Sequence, residues 1–154
     1  MVSDARFEDG RDAPLNLGAQ DAEDLAVIAA LTQDAVFPVA DMTFARSRNR
    51  FALLLNRFRW EDAGTTTPER VRAVLAFENV RAVATSGLER DDTDQVLSLL
   101  SVEFQPDAEP GGHVILTLAG DGAIRLDVEA LEARLRDVTR PYAAPSGKTP
   151  RHPD

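Results

Sequence analysis

His113-Val-Ile-Leu-Thr-Leu-Ala-Gly-Asp-Gly-Ala-Ile-Arg-Leu-Asp-Val-Glu-Ala-Leu-Glu-Ala-Arg-Leu-Arg-Asp-Val138 decides how the chain reads. Val114, Leu116 and Leu118 recur with a period of two, as do Ile124, Leu126 and Val128 around Arg125 and Asp127. That period belongs to a strand with one buried face. Gly120-Asp121-Gly122 lies between the runs and tolerates positive φ, so the two strands pair as an antiparallel hairpin. Further on, Leu131, Leu135 and Val138 recur at helical spacing, Asp127 can cap, and Glu132 and Arg136 stand four residues apart. The stretch therefore predicts a hairpin followed by a C-terminal helix.

Upstream, Leu15, Leu17 and Ala19 suggest a short edge strand. Asp21 to Asp34 predicts a helix, with Asp21 as cap, Glu23 and Asp24 at the positive end of its dipole, and Leu25, Ile28 and Ala29 on one face. Pro38 closes that segment. Met42 and Phe44 begin strand, Ser47-Arg-Asn-Arg50 reads as a turn, and Phe51, Leu53 and Leu55 share a face. After Asn56 the parity reverses, because Phe58 and Trp60 are apolar and Arg57 and Arg59 charged, so a bulge, a bend or a swap of the buried face is expected near Asn56–Arg57. Strands are read again at Val71–Phe77, Val80–Ala84 and Gln95–Phe104, with another parity change at Asn79. Six to eight strands in hairpin order, with an N-terminal and a C-terminal helix, make an α+β domain built on an antiparallel sheet or partly closed barrel. The closing hairpin and helix resemble the end of the pleckstrin-homology-like fold in element order. One domain is expected over residues 14–139, with flexible tails at 1–13 and 140–154.

The chain has 154 residues, 44% of them hydrophobic, enough for one core. Its 26 acidic residues outnumber 17 lysines and arginines, for a formal charge of -9, which disfavours nucleic-acid phosphates. It has no cysteine, which excludes disulfides, thiolate metal sites and a cysteine nucleophile. No apolar run approaches the length of a membrane helix, and the charged N-terminus is unlike a signal peptide, so no membrane association and a cytoplasmic location are expected.

The candidate chemistry is sparse. His113 and His152 are the only histidines, and no metal site or catalytic triad is built from them. Asp91-Asp-Thr-Asp94 has too few ligands for a calcium loop, and the glycines form neither a dinucleotide nor a P-loop motif. No catalytic residue, metal or cofactor is expected. What remains is an arginine cluster, Arg46, Arg48, Arg50, Arg57 and Arg59, interleaved with Phe44, Phe51, Phe58 and Trp60. Guanidinium forks grip carboxylate or phosphate, and aromatic rings stack on a partner; the plainer reading is that these charges simply face water from half-buried strands. Arg48, Asn56, Arg57, Arg59, Trp60 and Glu61 are the candidate binding residues of a non-enzymatic module that holds a protein partner or a small anionic ligand. The alternative is an enzyme or enzyme accessory with a cleft around Asn56–Asp62, in which Asn56 orients a substrate, Arg57 neutralises an anion and Glu61 acts as base. Nucleic acid is disfavoured as a partner; a homodimer stays open.

Three segments, Asp21-Ala-Glu-Asp-Leu-Ala-Val-Ile-Ala-Ala30, Arg50-Phe-Ala-Leu-Leu-Leu-Asn-Arg-Phe-Arg-Trp-Glu-Asp62 and Gly122-Ala-Ile-Arg-Leu-Asp-Val-Glu-Ala-Leu-Glu-Ala-Arg-Leu135, resemble a family of small alphaproteobacterial proteins catalogued as a domain of unknown function. Its Leu-Asn-Arg-Phe-x-Trp-Glu element is the most distinctive part. The resemblance runs from Leu15 to Val138 and implies a bacterial cytoplasmic protein, without assigned catalytic residues.

Overall fold

The computed structural model describes residues 14–59, 69–89, 91–140 and 142–143. In chain order its elements are β1 (Asn16–Ala19), α1 (Ala22–Leu31), β2 (Val36–Pro38), β3 (Met42–Ala45), β4 (Arg50–Phe58), β5 (Glu69–Phe77), β6 (Val80–Ser86), β7 (Val96–Pro106), β8 (Gly112–Leu118), β9 (Ala123–Val128), β10 (Ala133–Asp137) and β11 (Tyr142–Ala143). Among the described residues, ten strands of three residues or more and the two-residue β11 form one antiparallel sheet, more strands than the six to eight expected. Its order is β1-β10-β5-β4-β2-β7-β8-β9-β6, with β3 beside β4 and β11 beside β5. The sheet does not close, since β1 and β6 are its two ends.

One interior serves both halves of this sheet. Odd residues of β4 and β5, such as Leu53 and Leu75, share a hydrophobic cluster with even residues of β8 and β9, such as Leu116 and Leu126. The short β2 links the halves, pairing with β4 at Val36↔Asn56 and with β7 from Val36↔Ser98 to Pro38↔Val96. Helix α1 packs against β1, β7 and β10 and inserts Leu25 and Ile28 into the cluster. Asp21 caps it as its spacing demands, accepting a hydrogen bond from the Asp24 backbone N–H at 2.8 Å. The β8–β9 hairpin turns through positive φ at Gly120 (81°) and Asp121 (68°).

Of the two helices expected, α1 is the one found among the described residues. The C-terminal segment is a strand, β10, held between β5 (Leu135↔Leu75) and β1 (Leu135↔Leu17). Leu131 and Leu135 are four residues apart, so both a helix and a strand place them on one face. Their neighbours separate the two cases: Ala133 and Asp137 are buried and Val138 is 45% exposed, which is strand alternation. Pairing on both flanks overrides the local helical propensity of Glu, Ala, Arg and Leu. Without that helix the pleckstrin-homology-like ending is absent, and the analogy falls with it.

No bulge interrupts β4 near Asn56–Arg57, where Arg57 and Phe58 are both buried. Register runs unbroken from Phe51↔Phe77 to Phe58↔Arg70, so Arg57 stays on the inward face. Bulges fall elsewhere, between Val80 and Ala82 and between Leu99 and Ser101. The second moves the buried face of β7 from Leu97 and Leu99 to Val102. Beyond Asp137 the chain keeps following β5: Val138 N–H donates to the Arg72 carbonyl at 2.8 Å, and Tyr142 pairs with Arg70. Of the tails expected at 1–13 and 140–154, residues 1–13, 141 and 144–154 lie outside the described residues, and Tyr142–Ala143 form β11.

Candidate functional site

The fold divides the arginine cluster of residues 46–59. Arg46 and Arg48 belong to a short 3-10 turn between β3 and β4, Arg46 lying 5.0 Å from the Phe44 ring centroid and Arg48 exposed. Asn56 is half-buried on the wall of a 340 Å³ depression that also holds Asp41, Arg72 and Val96. Arg57 has no solvent exposure. Its Nε and Nη2 each donate at 3.0 Å to the Asp137 carboxylate, the two-pronged geometry of a strong guanidinium–carboxylate pair. Asp137 also accepts from the Leu15 backbone N–H at 2.9 Å, so this carboxylate ties β4, β10 and the start of β1 together. Arg59, 3% exposed, donates to Glu69 at 2.7 Å. Trp60 and Glu61 lie outside the described residues. Arg57 and Arg59 are thus built into the molecule, whereas Arg48 points away on a turn.

A different set of arginines converges on the outer face of the β1-β10-β5-β4 half. Because the register is continuous, outward residues form rows across four strands. One row is Ala52, Ala76, Arg134 and Gly18; the next is Leu54, Val74, Arg136 and Asn16. Two alanines and a glycine leave the first row low, and long side chains on either side raise the walls. The result is a groove of about 760 Å³ floored by Ala52, Val74 and Ala76 and walled by Arg50, Arg134, Arg136, Glu78 and Glu132.

The arginines of the groove differ in their partners. Arg50 Nε donates to Glu78 Oε2 at 2.7 Å, an ion pair at the rim. Arg134 Nη1 donates to the neutral Asn16 Oδ1 at 2.8 Å, which orients the fork and leaves its charge uncompensated. Arg136 carries no ion pair among the described residues. Three guanidinium groups against the carboxylates of Glu78 and Glu132 leave one net positive charge, on a chain whose total is -9. This arrangement can hold one carboxylate; a doubly charged phosphate would leave charge unmatched beside two glutamates.

Sequence reasoning reached Arg50 and missed Arg134 and Arg136. Read as a helix, residues 131–138 put Arg136 beside Glu132; as a strand, they put both arginines on one face next to β5. The available signal was the strict alternation of Leu131, Ala133 and Leu135 with Glu132, Arg134 and Arg136. Among the described residues no group of three or more His, Asp or Glu is placed to hold a metal ion, and no helix is long and apolar enough to cross a membrane. No curated protein and no solved structure matches the chain. A family model described as a protein of unknown function, DUF2948, matches residues 15–152, and the chain belongs to that family.

Proposed function

We propose that this protein is a non-catalytic binding module whose groove on the β1-β10-β5-β4 face takes a carboxylate group. One observation carries the reading: Arg134 and Arg136, neither of them ion-paired among the described residues, face the same low floor of Ala52 and Ala76 on an otherwise acidic molecule. Local positive charge against an unfavourable total is the mark of a recognition site rather than of a solvated face. The ligand site thus moves from the 46–62 hairpin to the neighbouring sheet face, with Arg50 common to both.

The test is a titration of the 15N-labelled protein with acetylglutamate capped as its α-amide, which leaves one carboxylate (acetylglutamate hereafter), and with acetylglutamine α-amide as its uncharged match. Backbone amides of Ala76, Arg134 and Arg136 should shift with the carboxylate and stay still with its uncharged match. Arg134→Gln and Arg136→Gln should each abolish the shifts at an unchanged melting temperature, because both side chains are exposed. Equal responses to the two compounds, or shifts confined to residues 46–59, would overturn the reading. A single carboxylate held by two forks is expected to bind with a Kd on the order of millimolar.

A further inference from the structure

We infer that the groove is one half of a longer channel, and that its occupant is an extended polypeptide segment carrying an acidic residue, then an apolar one, then a basic one. The inference rests on the carboxylate reading above and extends it. A second depression, about 530 Å³ in volume, shares Asn79 and Glu132 with the arginine groove, so the two adjoin at these residues. Its apolar surface comes from Phe104, Pro106, Pro110 and Leu131. Among the described residues its charged groups are Asp21, Glu109 and Glu132, with no arginine or lysine. The channel is therefore positive at one end, apolar beyond its middle, and negative at the other.

Strand β10 and the residues leading into it run beneath this channel and supply its scale. Glu132, where the depressions meet, is four residues from Arg136, about 13 Å at the rise of a strand. An extended peptide covers that distance in about four residues. A ligand meeting both ends must be long, open in shape and oppositely charged at its ends, which fits a peptide better than the compact ligands of enclosed cavities. Charge complementarity sets the chemistry: a glutamate or aspartate on Arg134 and Arg136, a large apolar side chain on Phe104 and the prolines, and a lysine or arginine at Glu109.

The experiment uses the full chain and a labelled seven-residue peptide with glutamate near one end, phenylalanine in the middle and lysine near the other end. It should bind about tenfold tighter than acetylglutamate, and amides near Phe104 and Gly111 should shift together with those of β10. Replacing the phenylalanine by glycine, or the lysine by glutamate, should remove that gain. Glu109→Lys, on an exposed loop, should lose the gain for the lysine peptide and favour the glutamate version, with acetylglutamate binding unchanged. If acetylglutamate binds as before but the peptide gains nothing and Glu109→Lys has no effect, the channel is wrong and the carboxylate site survives. If acetylglutamate fails as well, both fall. Shifts at Phe104 and Arg134 that grow with protein concentration in the absence of peptide would place a second copy there and overturn the inference.

Discussion

Arg57 carries a charge with no access to water, and such a charge is tolerated only when its hydrogen bonds are met inside. Asp137 meets them, and in accepting from Leu15 N–H it extends the same pair to the first strand. Removing one partner strands the other, at a cost of about 3–5 kcal/mol, whereas replacing both by apolar side chains of similar volume costs much less. Urea melts of Arg57→Met, Asp137→Leu and the double variant should therefore give two large losses and a double loss well below their sum; additive losses would refute the pairing. Arg57→Met should leave acetylglutamate binding intact in its folded fraction, since the guanidinium faces away from the groove. Residue type alone could not reveal this. Arg57 continues the inward series of Phe51, Leu53 and Leu55, but an inward arginine is admissible only if a carboxylate waits for it, and that carboxylate lies 80 residues away in sequence.

Elements were legible where a turn and a period agreed. The β8–β9 hairpin has both alternation and Gly120-Asp121, and α1 has a capping aspartate ahead of its apolar face. Residues 131–138 have no such arbiter, because Leu131 and Leu135 satisfy either period, and the outcome depends on β1 and β5 being there to pair. The strand assignment makes its own predictions. Leu135→Ala, at a site with no exposure, should cost about 2–5 kcal/mol, and Val138→Ala should cost under about 0.5 kcal/mol; a helical stripe would make both costly. Glu132 and Arg136, about 13 Å apart along a strand, should show no coupling in a double-mutant cycle. Asp21→Ala should lower stability by about 1 kcal/mol through loss of the α1 cap. The candidate site was illegible for the same reason as β10: two of its three arginines become neighbours of Ala52 and Ala76 only once the strand is in place.

For the whole molecule, local attraction and total charge act with opposite sign, and their sizes decide what kinetics will show. A globule of 154 residues has a radius of about 19 Å. Nine net negative charges on it raise the energy of an approaching monoanion by about 1.2 kcal/mol at about 10 mM salt and about 0.6 kcal/mol at about 0.15 M. One net positive charge in contact at the surface contributes about 4 kcal/mol of attraction before desolvation. Contact therefore wins once the carboxylate is in the groove, while the encounter is repelled on the way in. Salt screens the long-range repulsion first. The association rate of acetylglutamate, read from NMR line shapes, should rise about threefold between those two salt concentrations, against the fall seen when a basic protein binds an anion. Arg134→Gln should mainly speed dissociation, because it removes a contact and changes the total charge little. An association rate that falls with salt would mean that an anion meets net positive charge at long range, and the groove would then not be where it binds.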